Sequence, residues 1–231
     1  MGMFSNLRMH WLRLLRTNSL RVHGVVVCTD SDMIPKFVRS AIFKGTYETH
    51  ELKLIEKILL RGDRVLEIGT GVGVVSAAAT KLCGEGMVFS YEANERLESV
   101  IRCNYELNGW SPNLVMKAVT SDGRDIQLYR DENIVSSSLY DRGLELEENL
   151  VKSVALPEVF ESVQPDVLIM DVEGAEDELL PLKCVSSVRE IVVEMHPHII
   201  GQDKVDMLSN RLINNGFHLK ESLHKTSHFG R

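Results

Sequence analysis

The sequence predicts an α/β fold in which a mostly parallel sheet carries helices on both faces. Between residues 64 and 221, short apolar segments alternate with longer segments of helical periodicity, and this alternation is typical of parallel strands joined by helices. The interior of segment 166–171 is apolar on consecutive positions, which predicts a strand buried on both faces. A glycine-rich loop at 69–73 joins an apolar segment to a predicted helix. Such a loop lies at a helix N-terminus, where small polar ligands bind.

The individual elements follow from apolar periodicity and from the glycine, proline and asparagine residues at their ends. We predict strands at 23–28, 64–68, 87–91, 114–119, 125–130, 151–155, 166–171, 190–195 and 217–221. We predict helices at 36–43, 51–60, 74–82, 95–107, 157–162, 175–183 and 203–215. The turn signal at 121–123 predicts a hairpin that pairs 114–119 with 125–130. The polar residues 131–150 predict a loop.

Composition narrows the class of protein. The chain has 231 residues, which suits one large α/β domain, and it holds no apolar run long enough for a transmembrane helix. Its formal net charge of −7 argues against a nucleic-acid partner, which usually requires a basic face. The four cysteines are scattered without a C-x-x-C pair, which favours reduced thiols in a cytoplasmic protein and predicts no metal site.

Residues 1–44 are predicted to form an N-terminal extension that precedes the main domain at 45–231. The first part of this extension is basic, and its apolar side chains recur at helical spacing; they are Phe4, Leu7, Trp11 and Leu14. Two interpretations of this amphipathic helix stay open. We favour a helix that packs on the domain or on a second subunit, and the alternative is a helix that lies on an anionic membrane surface.

The glycine loop predicts the kind of ligand. Gly69, Gly71 and Gly73 stand at every second position, so the backbone can approach a ligand without side chains in the way. This spacing differs from the G-x-G-x-x-G of dinucleotide-binding proteins. Glu67, two positions before the loop, would repel a pyrophosphate and attract an ammonium group. S-adenosylmethionine (SAM) carries an ammonium group and no phosphate, and it therefore fits this loop better than a dinucleotide does.

Further candidate residues follow the next two predicted strands. In an open parallel sheet, ligands bind beyond the carboxyl ends of the strands. Glu92 ends the strand after the glycine loop, which is the usual place for a carboxylate that accepts the two ribose hydroxyls. The next strand ends near Val119, where an adenine would contact an apolar side chain. Asp122 is predicted to contact the amino edge of that adenine, and the alternative is that Asp122 only forms the turn.

Candidate catalytic residues follow the last two buried strands. Asp171 ends the apolar strand 166–171, Glu173 follows shortly after it, and His196 follows the strand at 190–195. Histidine is a common general base because its pKa lies near neutral pH, so His196 and Asp171 are the candidate bases. Asp171, Glu173 and Glu194 would suit magnesium, but their spacing does not require a metal, and we predict none.

Together these residues resemble the FkbM family of SAM-dependent methyltransferases. The matching segments are 45–48, 65–73, 92–94, 118–123, 166–176 and 191–197, and the block Asp171 to Glu176 is the most specific of them. The resemblance implies a class I methyltransferase (Rossmann-like) fold, SAM as cofactor and S-adenosylhomocysteine as product. It also implies O-methylation of a hydroxyl on a sugar, a polyketide or a related small molecule. The matching motifs add Tyr47, Ala93 and Asp171 to the predicted cofactor-binding residues.

The chain departs from the family pattern at a few positions. Glu67, Thr70 and Ala93 stand where relatives often have Asp, Asn and Pro, and residues 222–231 look short for the last hairpin of this fold. The predicted acceptor is a small molecule, a glycan or a lipid-linked hydroxyl. Two other functions stay open: a dinucleotide-dependent oxidoreductase, and a protein of the same fold that binds its ligand without catalysis.

Overall fold

We describe residues 17–130, 137–138, 147–180 and 187–231 of the chain in a computed structural model. The amphipathic segment at 1–16 therefore lies outside the described residues, as do most of the predicted loop at 131–150 and the end of the helix predicted at 175–183. Within the described ranges, no helix combines the length and the apolar character that crossing a membrane requires.

The strands and helices alternate along most of the chain. The strands are β1 (Ser19–Val22), β2 (Val25–Cys28), β3 (Val65–Ile68), β4 (Val88–Tyr91), β5 (Asn113–Val115), β6 (Ala118–Thr120), β7 (Ile126–Arg130), β8 (Ser137–Ser138), β9 (Glu147–Val151), β10 (Ser153–Ala155), β11 (Val167–Met170), β12 (Glu190–Glu194), β13 (His218–Leu223) and β14 (Thr226–Gly230). The helices are α1 (Lys36–Lys44), α2 (Thr49–Ile58), α3 (Val74–Cys83), α4 (Glu98–Glu106), α5 (Leu156–Val163), α6 (Glu176–Leu179), α7 (Pro197–Ile200) and α8 (Gln202–Asn214), with a 3₁₀ turn at Glu95–Leu97.

Seven strands form the central sheet in the order β13-β14-β12-β11-β3-β4-β5. The five strands from β12 to β5 are parallel to one another, whereas β14 runs antiparallel to both of its neighbours. Every residue of β3 and of β11 is buried, because helices cover both faces of a parallel sheet. The structure thus confirms the predicted α/β class with a mostly parallel sheet.

The strand order reverses between β3 and β11. From β3 the chain continues outward to β4 and β5, and it later returns to the other side of β3 as β11 and β12. Ligands of open α/β sheets bind beyond the carboxyl ends of the strands at such a point. The strand register aligns the carboxyl ends of four neighbouring strands. Ile68 lies opposite both Tyr91 and Met170, and Met170 lies opposite Val193. The residues that follow these four positions therefore form one row: Gly69, Glu92, Asp171 and Glu194.

The predicted hairpin between 114–119 and 125–130 is wrong. Residues 113–115 form β5 at the edge of the central sheet, while β6 pairs in parallel with β10 and β7 pairs antiparallel with β8 and β9. The turn at 121–123 does occur, but Thr120 closes it by accepting a hydrogen bond from the Gly123 N–H (2.9 Å). A local turn signal does not decide which distant strand pairs with its flanks. The loop predicted at 131–150 is likewise wrong at 137–138, which form β8, and at 147–150, which belong to β9.

Both ends of the described chain add hairpins that the sequence did not predict. The strand expected at 23–28 begins later, as β2 (Val25–Cys28), because His23 and Gly24 form a turn that pairs β2 with the preceding strand β1. Residues 222–231, which looked short for a last hairpin, complete β13 and supply β14. The edge of the sheet next to β12 is therefore covered by β14, which pairs with it over Glu190–Glu194.

Candidate functional site

A cavity of about 280 Å³ opens at the carboxyl ends of the central strands. Its walls come from the glycine loop, from the ends of β4, β6, β11 and β12, and from residues 47–51 at the start of α2. Seven carboxylate side chains line it: Glu48, Glu51, Glu67, Glu92, Asp171, Glu173 and Glu194. Lys117 is the lysine among the described lining residues, so the cavity is strongly acidic and favours ligands that carry positive charge.

The glycine loop allows two backbone segments to meet at the floor of the cavity. Gly69 has φ of 85°, and a Cβ at this position would overlap the carbonyl oxygen of Asp171. The loop therefore packs directly against the end of β11. Gly73 has φ of 80° and begins α3 on the far side of the loop, where a Cβ would press on Ile101. Glycine is therefore required at Gly69 by conformation and by space, whereas at Gly73 the positive φ is the main reason.

Glu67 lies under the glycine loop as a buried carboxyl group. Only 1 % of its surface is exposed, and its Oε2 accepts a hydrogen bond from the Thr70 hydroxyl (2.9 Å). Burial raises the pKa of Glu67 to about 7, although the hydrogen bond from Thr70 opposes the rise. A carboxyl with this pKa is ready to ionise when a cationic group arrives.

Glu92 joins the end of β4 to the glycine loop. One carboxylate oxygen accepts the Gly71 N–H (2.9 Å), and the other accepts the Asn94 N–H (2.8 Å). Burial raises the pKa of Glu92, and these backbone hydrogen bonds counteract that effect. Each carboxylate oxygen can accept a second hydrogen bond, so Glu92 is oriented by the backbone and still able to bind a diol in the cavity.

On the opposite wall, four carboxylates surround one histidine. This carboxylate–histidine cluster comprises Asp171, Glu173, Glu176, Glu194 and His196. The His196 Nδ1 lies 2.5 Å from the Glu176 Oε1, and its Nε2 lies 3.6 Å from Asp171, 3.7 Å from Glu173 and 3.5 Å from Glu194. His196 is 2 % exposed and Glu176 is fully buried, so the polar cluster reaches from the protein interior to the cavity wall.

The cluster shifts the acid–base properties of its members. Burial disfavours the imidazolium, but hydrogen bonds to Glu176 and Glu194 and the Asp171 charge outweigh burial and raise the pKa of His196 to about 10. Burial and the nearby carboxylates of Glu48 and Glu194 raise the pKa of Asp171 well above its usual range. Within the described part of the chain, the Asp171 Oδ1 is buried and has no hydrogen-bond partner.

Two acidic residues at the cavity adopt the left-handed backbone conformation. Glu48 has φ of 50° and Glu173 has φ of 47°, values that non-glycine residues rarely adopt and that often mark functional sites. Burial, together with the neighbouring carboxylate of Glu51, raises the pKa of Glu48 to about 8. Glu48 is thus a site residue in addition to the predicted Tyr47, and both belong to the matching segment 45–48.

The structure brings most of the predicted site residues to the cavity. Those that line it are Tyr47, Glu67, Gly69, Gly71, Glu92, Ala93, Val119 and Asp171. Gly73 does not line the cavity but lies next to it, at the residue that precedes α3. Asp122 does not line the cavity, because its side chain is 60 % exposed and pairs with Arg124 (2.8 Å). His196 also lies behind the lining residues, so a catalytic role for it would act through Asp171 or its neighbours.

Sequence reasoning also missed residues that hold the site together. Glu51, Asn94 and Glu176 were not predicted as site residues, yet Asn94 orients Glu92 and Glu176 orients His196. Glu176 had a signal, since it ends the acidic block that follows β11. Asn94 also had one, since it belongs to the matching segment 92–94. Glu51 had none, because an acidic residue on an amphipathic helix is an ordinary surface feature.

The sheet order, the glycine loop and the carboxylate at the end of β4 define a class I SAM-dependent methyltransferase fold. A family model described as "Methyltransferase FkbM domain" matches residues 67–219, which is more than half of the chain. The protein therefore belongs to the FkbM methyltransferase family, whose methyl donor is SAM.

A solved structure and curated relatives agree with the fold. The magnesium protoporphyrin IX methyltransferase of Synechocystis PCC 6803 with bound SAM superposes with a TM-score of 0.51 at 15 % identity, covering 85 % of this chain and 85 % of that one. The ribosomal protein L11 methyltransferase of Lactococcus lactis subsp. cremoris (strain MG1363) is 41 % identical over 66 residues, or 28 % of this chain and 20 % of that protein. The corresponding protein of Streptococcus pneumoniae (strain Hungary19A-6) is 34 % identical over 93 residues, or 39 % of this chain and 29 % of its own length. The chain thus spans less than a third of the curated relatives that it matches.

Proposed function

We propose that the protein transfers the methyl group of SAM to a hydroxyl oxygen of a small molecule or glycan. The observation that carries this proposal is the position of Asp171. Its backbone contacts Gly69 of the SAM loop, and its side chain lines the same cavity. A carboxylate beside the methyl donor can take the proton that a hydroxyl loses as its oxygen is methylated.

The proposed donor half of the site is the glycine loop with Glu67 and Glu92. SAM lies along Gly69–Gly73, Glu67 faces its ammonium group, and Glu92 accepts the ribose hydroxyls. Ala93 and Val119 line the cavity beside Glu92 and contact the adenine. This arrangement leaves the methyl group pointing toward the ends of β11 and β12.

The proposed acceptor half is the carboxylate–histidine cluster. The acceptor oxygen attacks the methyl carbon as the carbon–sulfur bond breaks, and S-adenosylhomocysteine leaves. The hydroxyl proton passes to Asp171, while His196 holds the surrounding carboxylates in place. Because SAM is already activated, much of the rate enhancement comes from holding the two reactants in line.

An amine acceptor is a second candidate, favoured by the acidity of the cavity. Seven carboxylates line it against one lysine in the described residues, and such a wall attracts cationic substrates. Two of the similar proteins are named ribosomal protein L11 methyltransferases, and this name describes a protein acceptor. Asp171 and Glu194 would then bind an ammonium group before it loses its proton.

The experiment is a methyl-transfer assay with methyl-labelled SAM and matched acceptor pairs. Each pair offers the same scaffold with a hydroxyl or an amine at one position, on sugars, polyketide fragments and lipid headgroups, and L11 is included as a protein acceptor. We expect labelled ether products and S-adenosylhomocysteine from the hydroxyl member of a pair. Labelling of the amine members or of L11 alone would refute O-methylation. Binding of NAD(P) without SAM in calorimetry would refute the whole proposal.

A further inference from the structure

Three members of the carboxylate–histidine cluster present their ligand atoms to one point. One carboxylate oxygen each of Asp171 and Glu173 and a ring nitrogen of His196 all lie within 4.8 Å of one another. The His196 Nε2 is 3.6 Å from the Asp171 Oδ1 and 3.7 Å from the Glu173 Oε2. Donors that bind one ion at about 2.0–2.2 Å and a tetrahedral angle lie about 3.3–3.6 Å apart. The two distances from the His196 Nε2 match or slightly exceed this range, so small side-chain adjustments would bring the three atoms to a common ion.

The second ring nitrogen of His196 is oriented as in a metal centre. Its Nδ1 lies 2.5 Å from the Oε1 of Glu176, which also accepts the Gly174 N–H (3.1 Å). Histidines that bind metals almost always donate their other N–H to a carboxylate or carbonyl, which fixes the ring and directs the second nitrogen at the ion. Because, despite burial, the neighbouring carboxylates raise the pKa of His196 to about 10, an ion that binds at Nε2 displaces the proton held there. Glu176 is fully buried, so its place behind His196 is set by the protein core.

The cluster also contains a carboxylate oxygen that could bind an ion, because no described residue donates a hydrogen bond to it. The Asp171 Oδ1 is buried and accepts no hydrogen bond from the described residues, and burying a polar atom without a partner is unfavourable. Glu194 adds a further oxygen 3.5 Å from the His196 Nε2. A cation among these atoms would satisfy the Asp171 oxygen and offset the repulsion between the carboxylates.

We propose that Asp171, Glu173 and His196 bind one divalent cation at the cavity wall, with Glu194 as a further oxygen ligand and Glu176 as a positioning residue. The mixture of imidazole and carboxylate favours Mn²⁺ or Zn²⁺ over Mg²⁺, which binds oxygen ligands almost exclusively. Asp171, Glu173 and Glu194 line the cavity, so the ion keeps an open coordination position on that side.

The open position gives the ion a chemical role, and this step alone rests on the proposed function. An acceptor hydroxyl that binds the ion through its oxygen loses its proton more readily, because a bound cation lowers the pKa of an oxygen ligand. Asp171 has two carboxylate oxygens, so Oδ1 can bind the ion while Oδ2 accepts that proton. Binding of the ion itself does not depend on which acceptor is methylated.

Mn²⁺ binding to the chelator-treated full-length protein tests the site without any acceptor. Bound Mn²⁺ loses the sharp electron paramagnetic resonance signal of the free ion, so a titration counts sites and gives an affinity. We expect one Mn²⁺ per chain, displaced by stoichiometric Zn²⁺ but by Mg²⁺ only in large excess. An unchanged free Mn²⁺ signal would overturn the site, and equal potency of Mg²⁺ and Zn²⁺ would overturn His196 as a ligand.

Variants locate the ion. Glu173→Gln, whose side chain is 29 % exposed and tolerates substitution, should weaken Mn²⁺ binding at least about tenfold, and Glu176→Gln should weaken it about 10- to 100-fold. Asp177→Asn is the matched control, because Asp177 lies in the same segment but pairs with Lys204 outside the cavity. Equal Mn²⁺ affinity in Glu173→Gln and Asp177→Asn would overturn the assignment.

The two proposals fail separately. Methyl transfer to a hydroxyl by a protein that binds no Mn²⁺ would overturn the cation site and leave the proposed function standing. One bound Mn²⁺, lost in Glu173→Gln, with methylation of amines only would confirm the site and overturn O-methylation. Thermal melting of each variant shows whether a lost signal reflects a lost ligand or a lost fold.

Discussion

The carboxylates on the two walls of the cavity differ in how they are hydrogen-bonded. The loop wall comprises the glycine loop 69–73 together with Glu67 and Glu92. On this wall, Glu67 accepts a hydrogen bond from Thr70, and Glu92 accepts two hydrogen bonds from the backbone. On the cluster wall, formed by the ends of β11 and β12, carboxylates surround His196, and the Asp171 Oδ1 accepts no hydrogen bond from the described residues. The hydrogen-bond donors to the loop-wall carboxylates are close in sequence, at two to twenty-one positions from Glu67 or Glu92.

This difference indicates which half of the site is complete before ligands bind. Backbone hydrogen bonds hold the loop wall in one geometry, which suits a cofactor that is the same in every turnover. The other wall holds excess negative charge that calls for a cation or a polar acceptor to balance it. Substitutions on the loop wall are therefore expected to lower the affinity for SAM. Substitutions on the cluster wall are expected to lower the rate of methyl transfer.

The largest expected effect is on turnover. Asp171→Asn removes the proposed proton acceptor while keeping its shape, so the rate of methyl transfer should fall about 10²- to 10⁴-fold, with SAM affinity nearly unchanged. Single-turnover assays and calorimetric titration of SAM separate the two quantities. Asp203→Asn, at an exposed position in α8, is the control. A parallel loss of SAM affinity and turnover in Asp171→Asn would contradict the division between the two walls.

The contact between the walls can be broken at Gly69. Gly69→Ala places a methyl group against the Asp171 carbonyl and forces alanine to φ of 85°, so the free energy of unfolding should drop by about 2–5 kcal/mol. Urea denaturation measures the loss. Gly216→Ala isolates the backbone effect, since Gly216 has φ of 88° with nothing within 4 Å of the added Cβ. Equal losses in the two variants would mean that Gly69 matters only for conformation.

Glu92→Ala tests the loop wall itself. Loss of a charged hydrogen-bond partner should weaken SAM binding by about 1.5–3 kcal/mol, measured by calorimetry, while the structure of the cluster wall stays the same. Glu95→Ala, on the exposed 3₁₀ turn that follows, should bind SAM like the unsubstituted protein. SAM affinity that survives in Glu92→Ala would show that the ribose lies elsewhere.

The smallest expected effect is a pH dependence at Glu67. Because burial raises its pKa to about 7, the carboxyl is neutral below that pH and charged above it, so it attracts the SAM ammonium only at higher pH. SAM affinity should therefore rise by up to about tenfold between about pH 6 and pH 8. Glu67→Gln should bind more weakly at pH 8 and lack this rise. The same rise in both proteins would assign the pH dependence to another group.

Local sequence patterns predicted the central elements and the loop wall. The apolar runs at 65–68 and 167–170 became β3 and β11, and the glycine spacing marked the loop. These signals are local, because burial on both faces requires apolar residues in succession and positive φ favours glycine. The hairpin at 114–130 was wrong because strand pairing depends on partners such as β10, about 30 residues further along the chain.

The sequence by itself determined the fold class, the family and the order of polar residues at the strand ends, since these follow from periodicity and short motifs. Only the tertiary structure decided which carboxylates share a space. The register of β11 between β3 and β12 sets Asp171 level with Gly69 and Glu194, and the fold buries Glu176 behind His196. Segments far apart in the chain create these contacts, and their joint electrostatics turn a row of acidic residues into a candidate cation site.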